Sequence, residues 1–251
     1  MLASAKLAAK QAGKILFDYF KTEIEIRQKG EDDLVTDVDF IAEKKIMSTL
    51  KRIYPTHSFY GEESGTDKRK SQYMWVIDAL DGTINFTRDL NPFCVSIGLL
   101  KNGQPHIGVV FDPIHNEMFF AQKGKGAYLN GKKIHVSGRQ ELASSILVAD
   151  LTTKKDFHEH FFDVMKKISK SVLGIRITHC TSLNLARLAV GRFDIYIKNR
   201  FEFKELVAGA CIIREAGGRL TDFNNRRISR NMKSLIASNT VLHKGVLRLI
   251  K

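Results

Sequence analysis

A chain of 251 residues, 43% of them hydrophobic, can bury a substantial core, so the composition excludes a disordered or fibrous protein. Its net charge of +13 draws anions, and phosphorylated metabolites, nucleic acid and acidic membrane surfaces all meet that condition. The three cysteines, Cys94, Cys180 and Cys211, have no metal-type spacing, which argues against structural zinc and for reduced core thiols in a cytosol.

Between Met1 and Lys10 lysines interrupt every apolar stretch, so no signal-peptide core is present, and no run is long enough to span a bilayer. A soluble, cytoplasmic protein is expected. From Ala3 to Phe20 apolar residues recur at helical spacing (Leu7, Ala8, Ala12, Ile15, Leu16, Tyr19), predicting an amphipathic helix slightly weakened by Gly13. Glu23 to Lys29 alternates apolar and charged residues, predicting a short strand before the acidic Glu31-Asp32-Asp33. Thr36 or Asp37 caps a second helix, which runs to Ile53 and stops before Pro55. Ser58 to Tyr60 leads as a strand into Gly61-Glu62-Glu63-Ser64-Gly65, and the polar Thr66 to Gln72 suits a mobile flap.

Beyond Phe86, the strand-like runs Phe93 to Lys101, Gln104 to Pro113 and Glu117 to Gln122 are separated by turns, Asn102-Gly103 being a strong hairpin signal. Asn130-Gly131 marks another hairpin, between Gly124 to Leu129 and Lys133 to Val136. His106, His115 and His135 are scattered through this region as ordinary sheet or turn residues. Near residue 140 the pattern changes to alternating strand and helix. Strands are predicted at Ser145 to Ala149, Ser171 to Ile175, Asp194 to Ile197, Gly218 to Thr221 and Ser234 to Ala237. Helices are predicted at Phe157 to Ile168, Ser182 to Val190, Glu205 to Glu215 and Val241 to Ile250. The change divides the chain into an N-terminal α+β lobe, 1–140, and a C-terminal α/β lobe, 141–251.

The chemistry concentrates between Trp75 and Phe86. Trp75-Val76-Ile77 suits a buried strand, and it ends in Asp78 and Asp81, followed by Gly82 and Thr83. Two ionised carboxylates there repel each other and are costly to desolvate unless a cation neutralises them. A bend after Asp78 would turn both carboxylates and the Leu80 carbonyl towards one point, and oxygen-only ligands favour Mg²⁺ or a similar hard cation. A helix opening at Thr83 would aim free backbone N–H groups at the same spot, as suits a phosphate. The competing reading makes Asp81-Gly82 a surface turn capped by Asp78. Asp39 and Glu205 each lie near the start of a predicted helix, where helix polarity alone accepts an acid.

Asp78-Ala79-Leu80-Asp81-Gly82-Thr83-Ile84-Asn85-Phe86 resembles the Asp-Pro-x-Asp-Gly-Thr-x-Asn-Phe signature of the inositol monophosphatase family, with Ala79 replacing proline. Three further stretches match in order: Asp33 to Asp39 (Asp-Leu-Val-Thr-Asp-Val-Asp), Gly61-Glu62-Glu63-Ser64, and the run from Glu205 through Ala208-Gly209 to Glu215-Ala216-Gly217-Gly218. The resemblance therefore covers nearly the whole chain. It implies a layered α-β-α-β-α sandwich of the sugar phosphatase type, of mixed α+β and α/β class. It also implies a lithium-sensitive, Mg²⁺-dependent hydrolase of a small phosphorylated metabolite, using two or three ions and commonly dimeric. By resemblance one Mg²⁺ is held by Glu62, Asp78, the Leu80 carbonyl and Thr83, and a second by Asp78, Asp81 and Glu205; Glu63 is available to a third. Asp39 and Thr83, with Glu62, form the catalytic set that deprotonates the attacking water, while the Gly82 and Thr83 amides hold the phosphate.

The departures from the family pattern concern substrate more than catalysis. Lys204-Glu205 replaces the usual Trp-Asp, and glutamate serves at the comparable place in fructose-1,6-bisphosphatases. Lys198 stands where inositol-cleaving members carry a carboxylate, and an ammonium cannot accept hydrogen bonds from a polyol. Lys198, Asn199 and Arg200 either bind a second phosphate or sugar acid or form a solvated loop. His179-Cys180-Thr181 replaces a Gly-Ser/Thr-Ala element that contacts substrate, which makes Cys180 and Thr181 substrate-binding candidates. Inositol phosphate ranks first as substrate and a sugar bisphosphate second. 3′-Phosphoadenosine 5′-phosphate is disfavoured, because Asp150-Leu151-Thr152-Thr153 stands where its hydrolases carry Ser-Arg-Ser-His. A reading from another class, a nucleic-acid-binding protein on a degenerate phosphatase scaffold, draws on the charge and on Arg226-Arg227, Arg230 to Lys233 and Lys244 to Lys251. No aromatic-rich RNA motif or zinc finger accompanies those segments.

Overall fold

The computed structural model describes residues 1–28, 34–67 and 69–250; Lys29 to Asp33, Lys68 and Lys251 lie outside the described residues, and with them the first aspartate of the Asp33 to Asp39 motif. In α1 (Leu2–Tyr19) the buried stripe is built from Ala5, Ala8, Ala9, Ala12 and Leu16, and its small side chains let the backbone come close to its neighbours. β1 (Ile26–Gln28) and β2 (Leu34–Thr36) form an antiparallel ribbon with Arg27 opposite Val35. α2 (Asp37–Ile53) opens on a capping box in which Thr36 and Asp39 satisfy each other's backbone donors.

The first sheet follows. β3 (Ser58–Gly61), β4 (Gly65–Thr66) and β5 (Tyr73–Asp81) lead to the single-turn α3 (Thr83–Phe86). β6 (Cys94–Lys101), β7 (Gln104–Asp112), β8 (Glu117–Gln122), β9 (Ala127–Leu129) and β10 (Lys132–Ile134) then meander outwards. Among the described residues the sheet has the order β10-β9-β8-β7-β6-β5-β3-β4, with β3 parallel to β5 and the other pairs antiparallel. Both Asn-Gly pairs turn as expected. Asn102 and Gly103 have φ of 50° and 73°, and Asn130 and Gly131 have 48° and 85°, the left-handed pairs that a tight hairpin requires.

The C-terminal half alternates as its pattern predicts: β11 (Ile146–Asp150), α4 (His158–Ser169), β12 (Gly174–Ile177), α5 (Thr181–Ala189), β13 (Ile195–Asn199), α6 (Phe203–Glu215), β14 (Gly218–Thr221), β15 (Ser234–Asn239) and α7 (Thr240–Ile250). Its sheet runs β12-β11-β13-β15-β14. One strand departs from the sequence reading. The Val172-Leu173 end of the predicted run lies before β12, because parallel pairing with β11 starts at Ile146 opposite Gly174 and leaves Leu173 67% exposed.

Among the described residues three large cores stack these elements in layers, with a small fourth cluster, Val76, Leu100 and Val207, between the first sheet and α6. On one face of the first sheet, Trp75, Ile77, Ile97 and Val109 pack with Leu16 of α1 and Ile46 of α2. On the other face, Cys94, Val110 and Phe119 join Leu185 of α5, Ile212 of α6 and Tyr196 of the second sheet. Behind the second sheet, Ile195, Ile197 and Ile236 meet Phe161 of α4 and Val246 of α7. The result is the five-layer α-β-α-β-α sandwich. Gly98 and Gly108 face each other across β6 and β7, and together they make the notch in which α6 lies: a Cβ on Gly98 would strike Val207, and one on Gly108 the Ala208 carbonyl. That notch sets how closely the start of α6 approaches the end of β5. Among the described residues no helix is long and apolar enough to cross a membrane.

Candidate active site

β5 is buried along most of its length and ends in acids. Its pairing with β6 runs regularly to Asp78 opposite Ser96, then shifts at a bulge so that Asp81 stands opposite Cys94. The bulge supplies the bend that the spacing suggested. Gly82 follows at φ 98°, and a Cβ there would meet the Pro92 carbonyl and Phe93, so the turn into α3 requires glycine. Asn85 fixes the far side of the turn by donating through Nδ2 to the Pro92 carbonyl at 2.7 Å and the Thr178 carbonyl at 2.8 Å.

A cavity of about 530 Å³ opens at this point, walled by Glu62, Asp78, Leu80, Asp81, Gly82, Thr83, Lys198 and Glu205. Residues more than 140 positions apart in the sequence meet there. Asp39 reaches the site through Thr83, whose Oγ1 lies 3.0 Å from the Leu80 carbonyl oxygen and 3.4 Å from Asp39 Oδ1. The other Asp39 oxygen accepts the Thr36 amide at 2.8 Å and the Thr36 hydroxyl at 2.7 Å. Asp81 Oδ2 accepts the Ser182 amide at 2.5 Å. Asp78 Oδ1 is buried without a hydrogen-bond partner.

The electrostatics follow from this crowding. Burial, with the carboxylates of Glu62 and Glu63 nearby, pushes Asp39 up to about 7. Burial and then Glu205 push Asp81 up to about 7, and burial and then Glu62 raise Asp78 well above the usual carboxylate range. Two ammonium groups oppose that trend. Lys204 Nζ lies 2.6 Å from Glu62 Oε1 and 3.0 Å from Glu202 Oε2. Lys198 Nζ lies 2.6 Å from Thr181 Oγ1 and 3.2 Å from Glu205 Oε1. Burial disfavours both charges, yet the facing carboxylates hold both ammonium groups above the ordinary lysine range.

Asp39 stands behind Thr83 and off the cavity wall, and Cys180, Thr181 and Glu63 do not reach it either. Cys180 is the N-cap of α5 and is fully buried, its thiol donating to the Asp81 carbonyl at 3.4 Å and lying 3.8 Å from Cys94 Sγ. Burial pushes Cys94 up to about 12 and Cys180 well above its usual range, so both stay protonated. The Thr181 hydroxyl accepts from Lys198, and the Glu63 backbone amide donates to Glu43. The Thr66 to Gln72 segment likewise places no described residue on the wall. Its Arg69 reaches back to the Pro55 carbonyl, and the Arg69 carbonyl accepts the Ser58 hydroxyl at 2.6 Å.

Two supporting acids escaped the sequence reading. Glu43 is buried on α2, and its two carboxylate oxygens each accept an amide, from Glu63 and from Ser64, at 2.9 Å, fixing the loop that carries Glu62. An acid in phase with Asp39, Ala42, Ile46 and Leu50 on the apolar stripe was the available signal. Asp150 is fully buried at the end of β11. It accepts Tyr196 Oη at 2.7 Å, Asn184 Nδ2 at 2.9 Å and the His179 amide at 2.8 Å, holding His179 in the left-handed region at φ 55° beside the cavity. Its signal was weaker, a lone acid ending an apolar strand.

The donors of Glu62, Asp78, Leu80, Asp81 and Glu205 are all oxygen, and the orphaned Asp78 Oδ1 is what a hard cation would satisfy, so this wall fits Mg²⁺.

The model of the inositol monophosphatase family matches residues 1–251. The chain is 34% identical over 259 residues to the Nus factor SuhB of Pseudomonas aeruginosa, covering 100% of this chain and 96% of that one. It is 35% identical over 257 residues to an inositol monophosphatase of Mesembryanthemum crystallinum, covering 100% and 95%. The solved structure of the extragenic suppressor protein suhB from Bartonella henselae is similar with a TM-score of 0.96 at 30% identity, over 99% of this chain and 97% of that chain.

Proposed function

Since this chain belongs to the inositol monophosphatase family, we propose that it hydrolyses a phosphate monoester of a small metabolite in the cavity at the end of β5. The observation that supports this reading is the meeting of Glu62, Asp78, Asp81 and Glu205 on one wall with the Asp39–Thr83 pair behind them. Glu62, Asp78, the Leu80 carbonyl, Asp81 and Glu205 would hold Mg²⁺. When bound, Mg²⁺ offsets the carboxylate charge, acidifies water and stabilises the leaving oxygen.

The chain's own groups do the rest. Thr83 Oγ1, between the Leu80 carbonyl and Asp39, orients a water for in-line attack on phosphorus, and Asp39 accepts the proton through that hydroxyl. The amides of Gly82 and Thr83 have no intrahelical acceptor at the first turn of α3 and bind the phosphate oxygens. The ester P–O bond breaks opposite the attacking water, and the alcohol leaves with a proton from solvent. Partly buried Lys198 and the Lys154, His179 and Arg200 side of the cavity face the remainder of the substrate.

Inositol 1-phosphate is the first substrate to test. The basic rim favours a second reading within the class, a sugar bisphosphate whose distant phosphate meets Arg200 and Lys154. Lithium sensitivity, a homodimer and a cytoplasmic location complete the proposal. From another class, the +13 charge and the Nus factor name of a relative favour nucleic-acid binding by the basic surface. Steeply salt-dependent RNA binding without metal-dependent hydrolysis would select that reading.

The deciding experiment is phosphate release from inositol 1-phosphate and fructose 1,6-bisphosphate, with wild type beside Asp81→Asn at fixed Mg²⁺. Turnover in the wild type that falls about a hundredfold or more in Asp81→Asn, at unchanged folding by circular dichroism, is expected. Inactivity of the wild type on both substrates overturns the proposal.

A further inference from the structure

Inside the acidic wall two lysines already stand where counter-charge is needed. Lys204, in the first turn of α6, has a side chain only 8% exposed; its ammonium sits 2.6 Å from Glu62 Oε1, with the Asp78 charge close enough to act on it. Lys198, near the end of β13, has a side chain 12% exposed; its ammonium sits 3.2 Å from Glu205 Oε1, within the field of Asp81. Each lysine therefore addresses one end of the wall, Lys204 the Glu62–Asp78 end and Lys198 the Asp81–Glu205 end. Burying an ammonium is unfavourable unless a carboxylate compensates it, so these pairs form parts of the fold as much as of the site.

Their placement conflicts with a bound dication. Mg²⁺ takes carboxylate oxygens at about 2.0–2.1 Å, so an ion on Glu62 or Glu205 would face the ammonium already hydrogen-bonded there across a few ångströms of poorly screened space. We infer that Lys204 and Lys198 are tethered counter-ions, which keep the four acids together without metal and compete with divalent cations for Glu62 and Glu205. The inference rests on the reading of this wall as a Mg²⁺ site and names what regulates its affinity. Cation entry then requires each ammonium to swing away from its carboxylate, and Mg²⁺ binds more weakly than the number of oxygen donors alone would give.

Calorimetric titration of the full chain with Mg²⁺, together with melting temperatures in EDTA and in Mg²⁺, tests this on Lys204→Met, Lys198→Met and the charge-retaining Lys204→Arg. Either Met variant is expected to melt lower than wild type in EDTA, to regain stability in Mg²⁺, and to bind Mg²⁺ about tenfold or more tightly. Lys204→Arg should keep the wild-type isotherm. Met variants that fold and bind Mg²⁺ no more tightly than wild type overturn the inference, as does an absence of binding in all of them. If Lys204→Met fails to fold in both buffers, Lys198→Met decides alone by the same criteria. Because binding is read without turnover, tightened binding in an inactive protein keeps the inference and removes the proposed activity. Activity with no tightening does the reverse.

Discussion

Glu43 touches no substrate in the proposed chemistry, yet it fixes the loop from which Glu62 projects. Replacing it by Ala leaves two amides, of Glu63 and Ser64, without their acceptor in a half-buried turn. Glu43→Ala should lose about 1–3 kcal/mol in urea unfolding and weaken Mg²⁺ binding, because the Glu62 donor is no longer held. At the far side of the molecule, His243 is enclosed between the Thr221 and Ser238 hydroxyls, each 2.9 Å from a ring nitrogen. Burial, with Arg219 nearby, pushes its pKa down to about 4 from an ordinary 6.5. Above pH 6.5 it is neutral folded or unfolded and has no effect. Between pH 6.5 and 4 the unfolded chain binds a proton that the folded chain refuses, so stability falls through that window and levels off below it. The loss is of order 3 kcal/mol at most. The stability gap between wild type and His243→Gln, measured by urea unfolding, should therefore narrow as pH drops from 7 to 4. A constant gap would show that the imidazole does not titrate there. Residues of this kind differ in how far the sequence reveals them. Asp78, Asp81 and Gly82 are legible because charge and glycine break an apolar strand. The Lys204 contact is not, because the reach of a long side chain depends on where its helix docks.

At the scale of elements, that docking is decided by two glycines. Gly98 and Gly108 lie side by side where α6 crosses the first sheet, and the Ala208 carbonyl leaves no room for a methyl group on Gly108. Gly108→Ala should push the start of α6 outward, lower stability by about 1–3 kcal/mol, and weaken Mg²⁺ binding through displacement of Glu205. A stable variant with wild-type affinity would mean that α6 can slide without moving its first turn. Much of the element plan was readable in advance. The Asn-Gly turns place the hairpins, and the capping residues at Thr36 and the stop before Pro55 bound α2. Cys180 was expected as a reduced core thiol and is one, but sequence alone did not show that it would cap α5 beside Cys94, a contact between residues 86 positions apart. Nor did it show that the Arg69 side chain would reach back to the distant Pro55 carbonyl.

For the whole molecule, the interleaving of layers matters more than the division of the chain. Every strand of the first sheet comes from residues 58–134 and every strand of the second from 146–239, yet α5 and α6 pack against both. We propose that the lobes 1–140 and 141–251 are topological halves that fold together. The sole tryptophan, Trp75, is buried in the first sheet and donates to His57 Nδ1 at 3.1 Å, so its fluorescence follows that layer, while far-ultraviolet dichroism averages over all. Urea transitions followed by the two signals should coincide. Separated midpoints would mean that the halves are independent.

The meeting of Cys94 and Cys180 carries this cohesion to a single point. One sulfur belongs to the first sheet and the other to the helical layer beneath the second, and neither reaches the surface. No covalent latch holds the halves there; the seam is closed by contact alone and sealed against reagents. An alkylating agent or oxidant therefore finds these thiols only in molecules whose layers have parted, which makes the sulfurs a built-in record of how often the protein opens.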